Sequence, residues 1–283
     1  MNEARLYVVA TPIGNLQDIT LRALQVLAAV DVIAAEDTRH TRVLMSRHGL
    51  DRPLVSLQEH NEERRAPQLV ERLLGGESVA LVSDAGTPLL SDPGFRFVRL
   101  AADAGIEIVA VPGASAITAA LSISGLATDR FAFEGFLPQR AAARLKRLSE
   151  LKQESRTLVF FESSHRIQQS LADLSGVFGR DRQIAVCREM TKQFETVLRG
   201  PLPAVIERIE QDPNQRKGEF VLVVAGCDPA GDESFAEALR LAQALLAYLP
   251  ASQAARAAAN LHGVSRRDVY KALEQADAAK AGE

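Results

Sequence analysis

The residues with the widest chemical repertoire in this chain run from Ser83 to Gly94, Ser-Asp-Ala-Gly-Thr-Pro-Leu-Leu-Ser-Asp-Pro-Gly, directly behind an apolar run. Gly and Pro set backbone angles that ordinary side chains resist, while Ser, Thr and Asp present short polar groups close to the main chain. Such a loop can wrap a polar small molecule, or it can simply connect two elements. Other polar clusters share the placement: Thr11-Pro12-Ile13-Gly14-Asn15, Glu36-Asp37-Thr38-Arg39-His40-Thr41 and Pro112-Gly113-Ala114-Ser115-Ala116. Further along, Glu162-Ser163-Ser164-His165-Arg166 and the stretch from Arg188 to Glu195 repeat it. Their carboxylates suit proton transfer and their Arg and Lys side chains suit phosphate oxygens, although solvated loops and an interdomain salt-bridge network use the same residue types.

Missing motifs narrow the chemistry. No Gly-x-Gly-x-x-Gly follows the first apolar run, and no Gly-Lys-Ser/Thr phosphate loop or Gly-x-Ser-x-Gly elbow occurs, which disfavours a standard dinucleotide site, a P-loop nucleotidase and a serine hydrolase. The five His residues are scattered, with only a loose His40, His48 and His60 set, so no metal site is expected. Cys187 and Cys227 sit far apart in apolar context and read as buried thiols.

The elements that position these clusters follow from periodicity. Leu6–Ala10, Val30–Ala35, Val79–Ser83 and Glu107–Val111 read as strands, separated by helical patterns that include Ile19 to Leu27, capped by Asp18 or Thr20, and Phe95 to Ala104. This alternation predicts a parallel sheet with helices on its faces. In such a sheet, loops at the carboxyl ends of the strands converge on one ligand crevice. A small-residue helix is expected over Ala114 to Ser124 and a strand over Phe131 to Pro138. The chain then turns basic, with Arg140, Arg144, Lys146, Arg147 and Lys152, before a second alternation: a strand over Thr157 to Phe161, a helix over Arg166 to Leu174, and strands over Gln183 to Cys187 and Gly218 to Ala225. The Ala- and Leu-rich end predicts helices over Ser252 to Leu261 and Ser265 to Gln275, joined at His262-Gly263-Val264. That outline fits a helix–turn–helix touching phosphates through Arg256, Arg266, Arg267 and Lys271, or a plain helical hairpin. The expected organisation is an α/β fold of two domains, 1–125 and 126–230, followed by a helical segment, 231–283.

Composition sets outer bounds. With 283 residues, 47% hydrophobic and 24% charged, the chain can build a sizeable core, and a net charge of −3 does not mark a strong binder of naked nucleic acid. The first residues lack the build of a signal peptide, and no apolar run approaches the roughly 18 residues of a membrane span, so a cytoplasmic location is expected.

The loops also carry a family resemblance. Leu6 to Asn15 with Leu16-x-Asp18-Ile19-Thr20, Ala35-Glu36-Asp37-Thr38-Arg39, His60-Asn61-Glu62, Ser83 to Pro88 and Ser91 to Gly94 come in order, at compatible spacing. Val111 to Ala116, Glu134-Gly135-Phe136-Leu137-Pro138, Glu162-Ser163-x-His165-Arg166, Arg188 to Lys192 with Phe194-Glu195, and Lys217-Gly218-Glu219-Phe220 continue the series. Together they resemble the tetrapyrrole methylase superfamily of S-adenosylmethionine-dependent methyltransferases, in the branch that methylates a cytidine 2′-hydroxyl of 16S ribosomal RNA. Tetrapyrrole-modifying relatives carry Gly-Asp-Pro where this chain has Asp84-Ala85-Gly86-Thr87-Pro88, which favours the RNA branch.

The resemblance implies two α/β domains with the methyl donor in the cleft between them. It carries donor contacts onto Ile13, Asp84, Gly86, Thr87, Ser115 and Ala116, with Phe161 and Ala185 from the second domain. Glu36, Asp37, Arg39, Glu162, Arg166, Glu189, Lys192 and Glu219 are the charged groups expected near the acceptor, and Glu36, Arg39, Glu162 and Lys192 are the catalytic candidates among them. No base is singled out, and Arg39, Arg166 and Lys192 read as groups that orient phosphate or acceptor. The small ribosomal subunit is the implied partner, with a homodimer as the implied assembly. Two other readings stay open at this level: the same fold acting on a tetrapyrrole or a modified-histidine protein, and a non-catalytic RNA-binding assembly factor.

Overall fold

Branched apolar strands alternate with amphipathic helices from the start of the chain, and the computed structural model describes residues 4–227 and 229–280. Residues 1–3, 228 and 281–283, which fall within the three expected segments, lie outside the described residues. The first half runs β1 (Arg5–Val9), α1 (Leu21–Ala29), β2 (Val32–Ala35), α2 (Thr38–Arg47), β3 (Leu54–Ser56), α3 (Glu59–Leu74), β4 (Val79–Val82), α4 (Phe95–Asp103) and β5 (Glu107–Val111). The strands form one sheet in the order β3-β2-β4-β1-β5, parallel at every pairing.

Strand periodicity sorts the apolar residues onto two faces. Val32, Ala34, Val79 and Leu81 pack against Ala66, Leu69 and Leu73 of α3 and Phe97 of α4. Their neighbours Ile33, Ala35, Ala80 and Val82 pack against Ala23 and Leu27 of α1 and Met45 of α2. A sheet covered on both sides this way leaves its carboxyl edge as the open one. Thr20 caps α1 by accepting a hydrogen bond from the Ala23 amide, one of the two caps the sequence offered.

The second half adds α5 (Ala116–Ser124), β6 (Phe131–Phe136), α6 (Ala141–Glu150), β7 (Thr157–Ser163), α7 (Ile167–Phe178), β8 (Gln183–Arg188), β9 (Thr196–Pro201), α8 (Leu202–Gln211) and β10 (Glu219–Val224). Its sheet has the order β6-β7-β10-β8-β9, and only β6 and β7 run parallel. The second alternation read from the sequence is therefore a mixed sheet. The unforeseen strand β9, whose Arg199, Gly200 and Pro201 hide its β character, pairs antiparallel with β8. Although α5 follows the last strand of the first sheet, its Ile117, Ala120 and Leu121 pack on Val159, Ala185, Cys187, Val221 and Val223 of the second.

Residues Met1–Ser149 and Thr157–Ala225, with both sheets, form one compact unit, and Glu150–Arg156 with Gly226–Glu283 form another. In the latter, α9 (Pro229–Leu245), α10 (Ala251–His262) and α11 (Arg266–Lys280) pack through Ala238, Ala242, Ala255, Ala258, Ala259, Val269 and Leu273. Gly263 closes α10 in the left-handed conformation at φ 67°, the stop expected of it. Among the described residues, no helix is long and apolar enough to cross a membrane.

The basic stretch of α6 is partly internal. Arg144 is fully buried, with Nε 2.7 Å from Asp173 Oδ2 and Nη1 donating to the carbonyls of Pro138 and Gln139 at 3.2 Å each. Arg147 pairs with Glu134 at 2.6 Å. These two arginines hold α6 in place instead of presenting charge to a polyanion, and both cysteines are buried as expected.

Candidate active site

The carboxyl ends of β1, β4 and β5, which lie side by side in the sheet, feed three of the polar loops, and hydrogen bonds sew those loops together. Thr11 and Gly86 exchange backbone hydrogen bonds of 2.9 and 3.1 Å, and the Thr11 hydroxyl donates to the Ser83 carbonyl at 3.2 Å. The Thr87 hydroxyl donates to the Ala114 carbonyl at 3.2 Å. Gly86 is required in this arrangement: its φ is 83°, and a Cβ there would stand 3.2 Å from Ile13 Cγ2. Leu89 and Ser91 also hold positive φ, at 73° and 69°, so the loop stores backbone strain of the kind that gathers at functional sites.

These loops form one wall of a cleft of about 560 Å³, within the range of small-molecule sites. Ile13, Glu36, Asp84, Gly86, Thr87, Asp92, Ser115 and Ala116 line it from the first sheet and α5, while Phe136, Phe161, Glu162, His165, Met190 and Glu219 line it from the second. Two close approaches join the walls. A Cβ on Gly135 would stand 3.2 Å from Ser91 Oγ, and one on Gly14 would stand 2.6 Å from Lys192 Cγ.

The floor is acidic. The Asp84 amide faces Glu36 Oε2 at 3.5 Å, and the Asp37 amide donates to Asp84 Oδ1 at 3.0 Å. Burial first, and then the negative charge of Asp84, push the Glu36 carboxyl above its ordinary range. Asp92 is pushed up to about 6, by burial and then by the charge of Glu36. The carboxylates Glu36, Asp84 and Asp92, facing a cleft that also presents Ile13, Leu90, Ile117, Phe161, Met190 and Val221, suit a ligand with apolar surface and positive charge. A sulfonium donor carrying an amino-acid tail has that character, and the residues present fit it.

Most expected site residues meet in this cleft: Ile13, Glu36, Asp84, Gly86, Thr87, Ser115, Ala116, Phe161 and Glu162. Three do not. Ala185, fully buried between β9 and β10, shares the sheet face of the cleft-lining Val221 but pairs with Val223, two residues further along β10, and so lies in the core beneath α5. Arg39 is 90% exposed and folds onto Asp37, the N-cap of α2, holding that carboxyl well below the usual range. Lys192 borders an adjoining groove with Asn15, Gln17, Arg47 and His48. Its ammonium lies 2.9 Å from Glu189 and 2.8 Å from Glu219. Desolvation works against both charges of the Lys192–Glu189 pair, yet their hydrogen bonds outweigh it, so Glu189 is lowered and Lys192 raised.

Glu162 is held by three partners. It accepts from the Ser163 amide at 2.8 Å and the Ser170 hydroxyl at 2.5 Å, and it pairs with Arg166 at 2.8 Å. Arg166 in turn donates to the Leu137 carbonyl at 2.9 Å. A buried carboxylate with these partners anchors Arg166 and the end of β6. Asp92 and Phe136 were not among the expected site residues, although both lie inside quoted motifs. The signal available was their placement beside Ser91 and Gly135, the residues at which the two walls touch.

Comparison with known proteins settles the family. Residues 5–206 match the family described as Tetrapyrrole (Corrin/Porphyrin) Methylases, and residues 232–276 match the RsmI C-terminal HTH domain. This chain belongs to the tetrapyrrole methylase family. The ribosomal RNA small subunit methyltransferase I of Xylella fastidiosa (strain Temecula1) is 51% identical over 94% of this chain and 97% of its own length. The protein of that name from Pseudomonas aeruginosa is 50% identical over 96% of this chain and 97% of its own length. Among solved structures, the methyltransferase CobJ superposes with a TM-score of 0.59 at 20% identity, covering 79% of this chain and 95% of that one, which is a likeness of fold. This member of the family thus carries the two-sheet methylase core and an added helical segment.

Proposed function

We propose that this protein transfers the methyl group of S-adenosylmethionine to the 2′-hydroxyl of a cytidine in 16S ribosomal RNA, within the assembled small subunit. The observation that carries the reading is identity near one half, over nearly the whole chain, to relatives named as ribosomal RNA small subunit methyltransferases. The enzyme is an S-adenosylmethionine-dependent ribosomal RNA methyltransferase, and the acidic, partly apolar cleft supports its use of a cationic donor.

The donor supplies a methyl group on an activated sulfonium leaving group. The chain's part is then chiefly to position the acceptor hydroxyl in line and to accept its proton at or after the transition state. Ile13, Gly86, Thr87, Ser115, Ala116 and Phe161 bind the donor in this reading, and Asp84, Glu36 and Asp92 face its positive charge. Glu162 acts as a positioning residue through Arg166. Arg39 and Lys192 orient RNA phosphates at the mouth, where Lys and Arg provide charge-assisted hydrogen bonds to phosphate oxygens. A net charge of −3 favours a folded ribosomal particle over naked RNA as the acceptor. On the strength of the resemblance, the enzyme works as a homodimer in the cytoplasm, which light scattering on the purified chain tests for assembly.

The deciding experiment incubates the protein with methyl-labelled donor and either isolated ribosomal RNA or small subunits from a strain lacking the modification, then maps the label. Label on a cytidine ribose, stronger with subunits, is the expected result. No label on ribosomal RNA in either sample overturns the reading.

A further inference from the structure

Residues of opposite parity on a regular strand point to opposite faces, so Phe133 and Phe136 of β6 should lie on different sides of the sheet. They do not. Phe133 pairs with Val159 and Phe136 with Phe161, residues of one face of β7, because the register shifts between Phe133 and Gly135. Gly135 takes φ 68° there, a bulge conformation that glycine adopts without strain. The result is an aromatic cluster in which Phe161 meets Phe133 edge to face at 4.9 Å and 64°, and Phe136 at 5.6 Å and 65°.

Phe133 and Phe161 pack against the core beneath α5, whereas Phe136 is 54% exposed and lines the cleft. The next residue, Leu137, is pinned through its carbonyl by Arg166, which the buried Glu162 holds. A strand irregularity, a left-handed glycine and a buried ion pair thus converge on fixing one exposed aromatic ring at the catalytic cleft. Bulges beside active sites commonly re-aim a side chain in this way.

We propose that Phe136, backed by Phe161, is the stacking platform for the base of the target nucleotide, a pyrimidine swung out of its RNA strand so that its ribose reaches the donor. This inference rests on the functional reading above. Proteins that act on single nucleotides in RNA stack the displaced base on aromatic side chains, and every base offers a π-face for it. The Glu162–Arg166–Leu137 chain is the positioning element of that platform.

The test compares F136A, F136L and F136Y with the wild-type protein in methyl transfer to unmodified small subunits, alongside calorimetric titration of S-adenosylmethionine. Loss of one base stack corresponds to roughly a 5- to 150-fold penalty in acceptor binding. F136A and F136L are therefore expected to raise KM for the subunit about ten-fold or more, with donor affinity unchanged and near-wild-type KM in F136Y. If F136L matches the wild type, the ring supplies only apolar bulk and the proposal falls. If F136A weakens donor binding as much as it raises KM, the ring packs on the donor and the proposal likewise falls. A wild-type protein that labels no ribosomal RNA would instead overturn the functional reading, and this inference with it.

Discussion

Replacing Asp92 by Asn tests whether the acidic floor of the cleft serves a cationic donor. Burial and the neighbouring Glu36 and Asp84 push this carboxyl up to about 6, so it is largely protonated at pH 5 and ionised at pH 7. A donor that binds only the ionised form has its apparent Kd multiplied by one plus the ratio of protonated to ionised Asp92, about 11 at pH 5 and about 1.1 at pH 7. The wild-type protein should therefore bind S-adenosylmethionine roughly ten-fold more weakly at pH 5 than at pH 7, a window below the titration of an α-amino group at about 7.7–8.0.

In D92N the slope should flatten and the neutral-pH affinity fall. S-adenosylhomocysteine, which lacks the sulfonium charge, should show a shallower slope with the wild type. Linkage adds a second readout. A carboxyl whose folded pKa is raised contributes stability below its unfolded value and loses that contribution as pH rises through about 6. The ligand-free D92N protein should accordingly melt higher than wild type at pH 7.5, while binding donor less well. Calorimetry from pH 5 to 7.5 and thermal melts at the upper end check both effects. A flat wild-type profile, or a slope that survives in D92N, would refute the electrostatic reasoning.

Three other outcomes follow from the packing. R144A should lower stability by about 3–5 kcal/mol, because it strands Asp173 and two carbonyls around a fully buried site. A thermal midpoint within two degrees of wild type would contradict that account. G86A should cost about 1–2 kcal/mol in backbone strain and press a methyl group toward Ile13, and its donor titration should show weaker binding with circular dichroism unchanged. Desolvation pushes the Cys187 thiol up to about 11, so an aromatic disulfide reagent at pH 8 should label it only after denaturation; rapid labelling of the native chain would contradict its burial.

The first sheet was readable because parallel strands covered on both faces are continuous apolar runs: Val32–Ala35 and Val79–Val82 carry no polar residue. The turn chemistry of Ser83 to Gly94 likewise marked a polar loop at a strand end, and Gly86 and Thr87 of that loop line the cleft. The second sheet was less legible. Its direction depends on which strands pair at long range, and β7, β8 and β10 look alike whether they run parallel or antiparallel. Charged residues were the least legible, since charge does not reveal exposure. Arg144, one of the basic run after β6, is fully buried, and Glu162, read among the catalytic carboxylates, is buried against Ser163, Ser170 and Arg166.

By itself, the sequence determined the alternation of elements, the small-residue loops at the ends of the first-sheet strands, and the family that those loops mark. Each is written in local residue types whose backbone preferences act over a few positions. Tertiary structure decided which of the loops close on one another, which carboxylates crowd together until burial and mutual repulsion raise them, and which aromatic ring the bulge at Gly135 turns into the cleft. Those outcomes depend on distances between residues remote in the chain and on the water excluded around them, and neither quantity exists until the chain has folded.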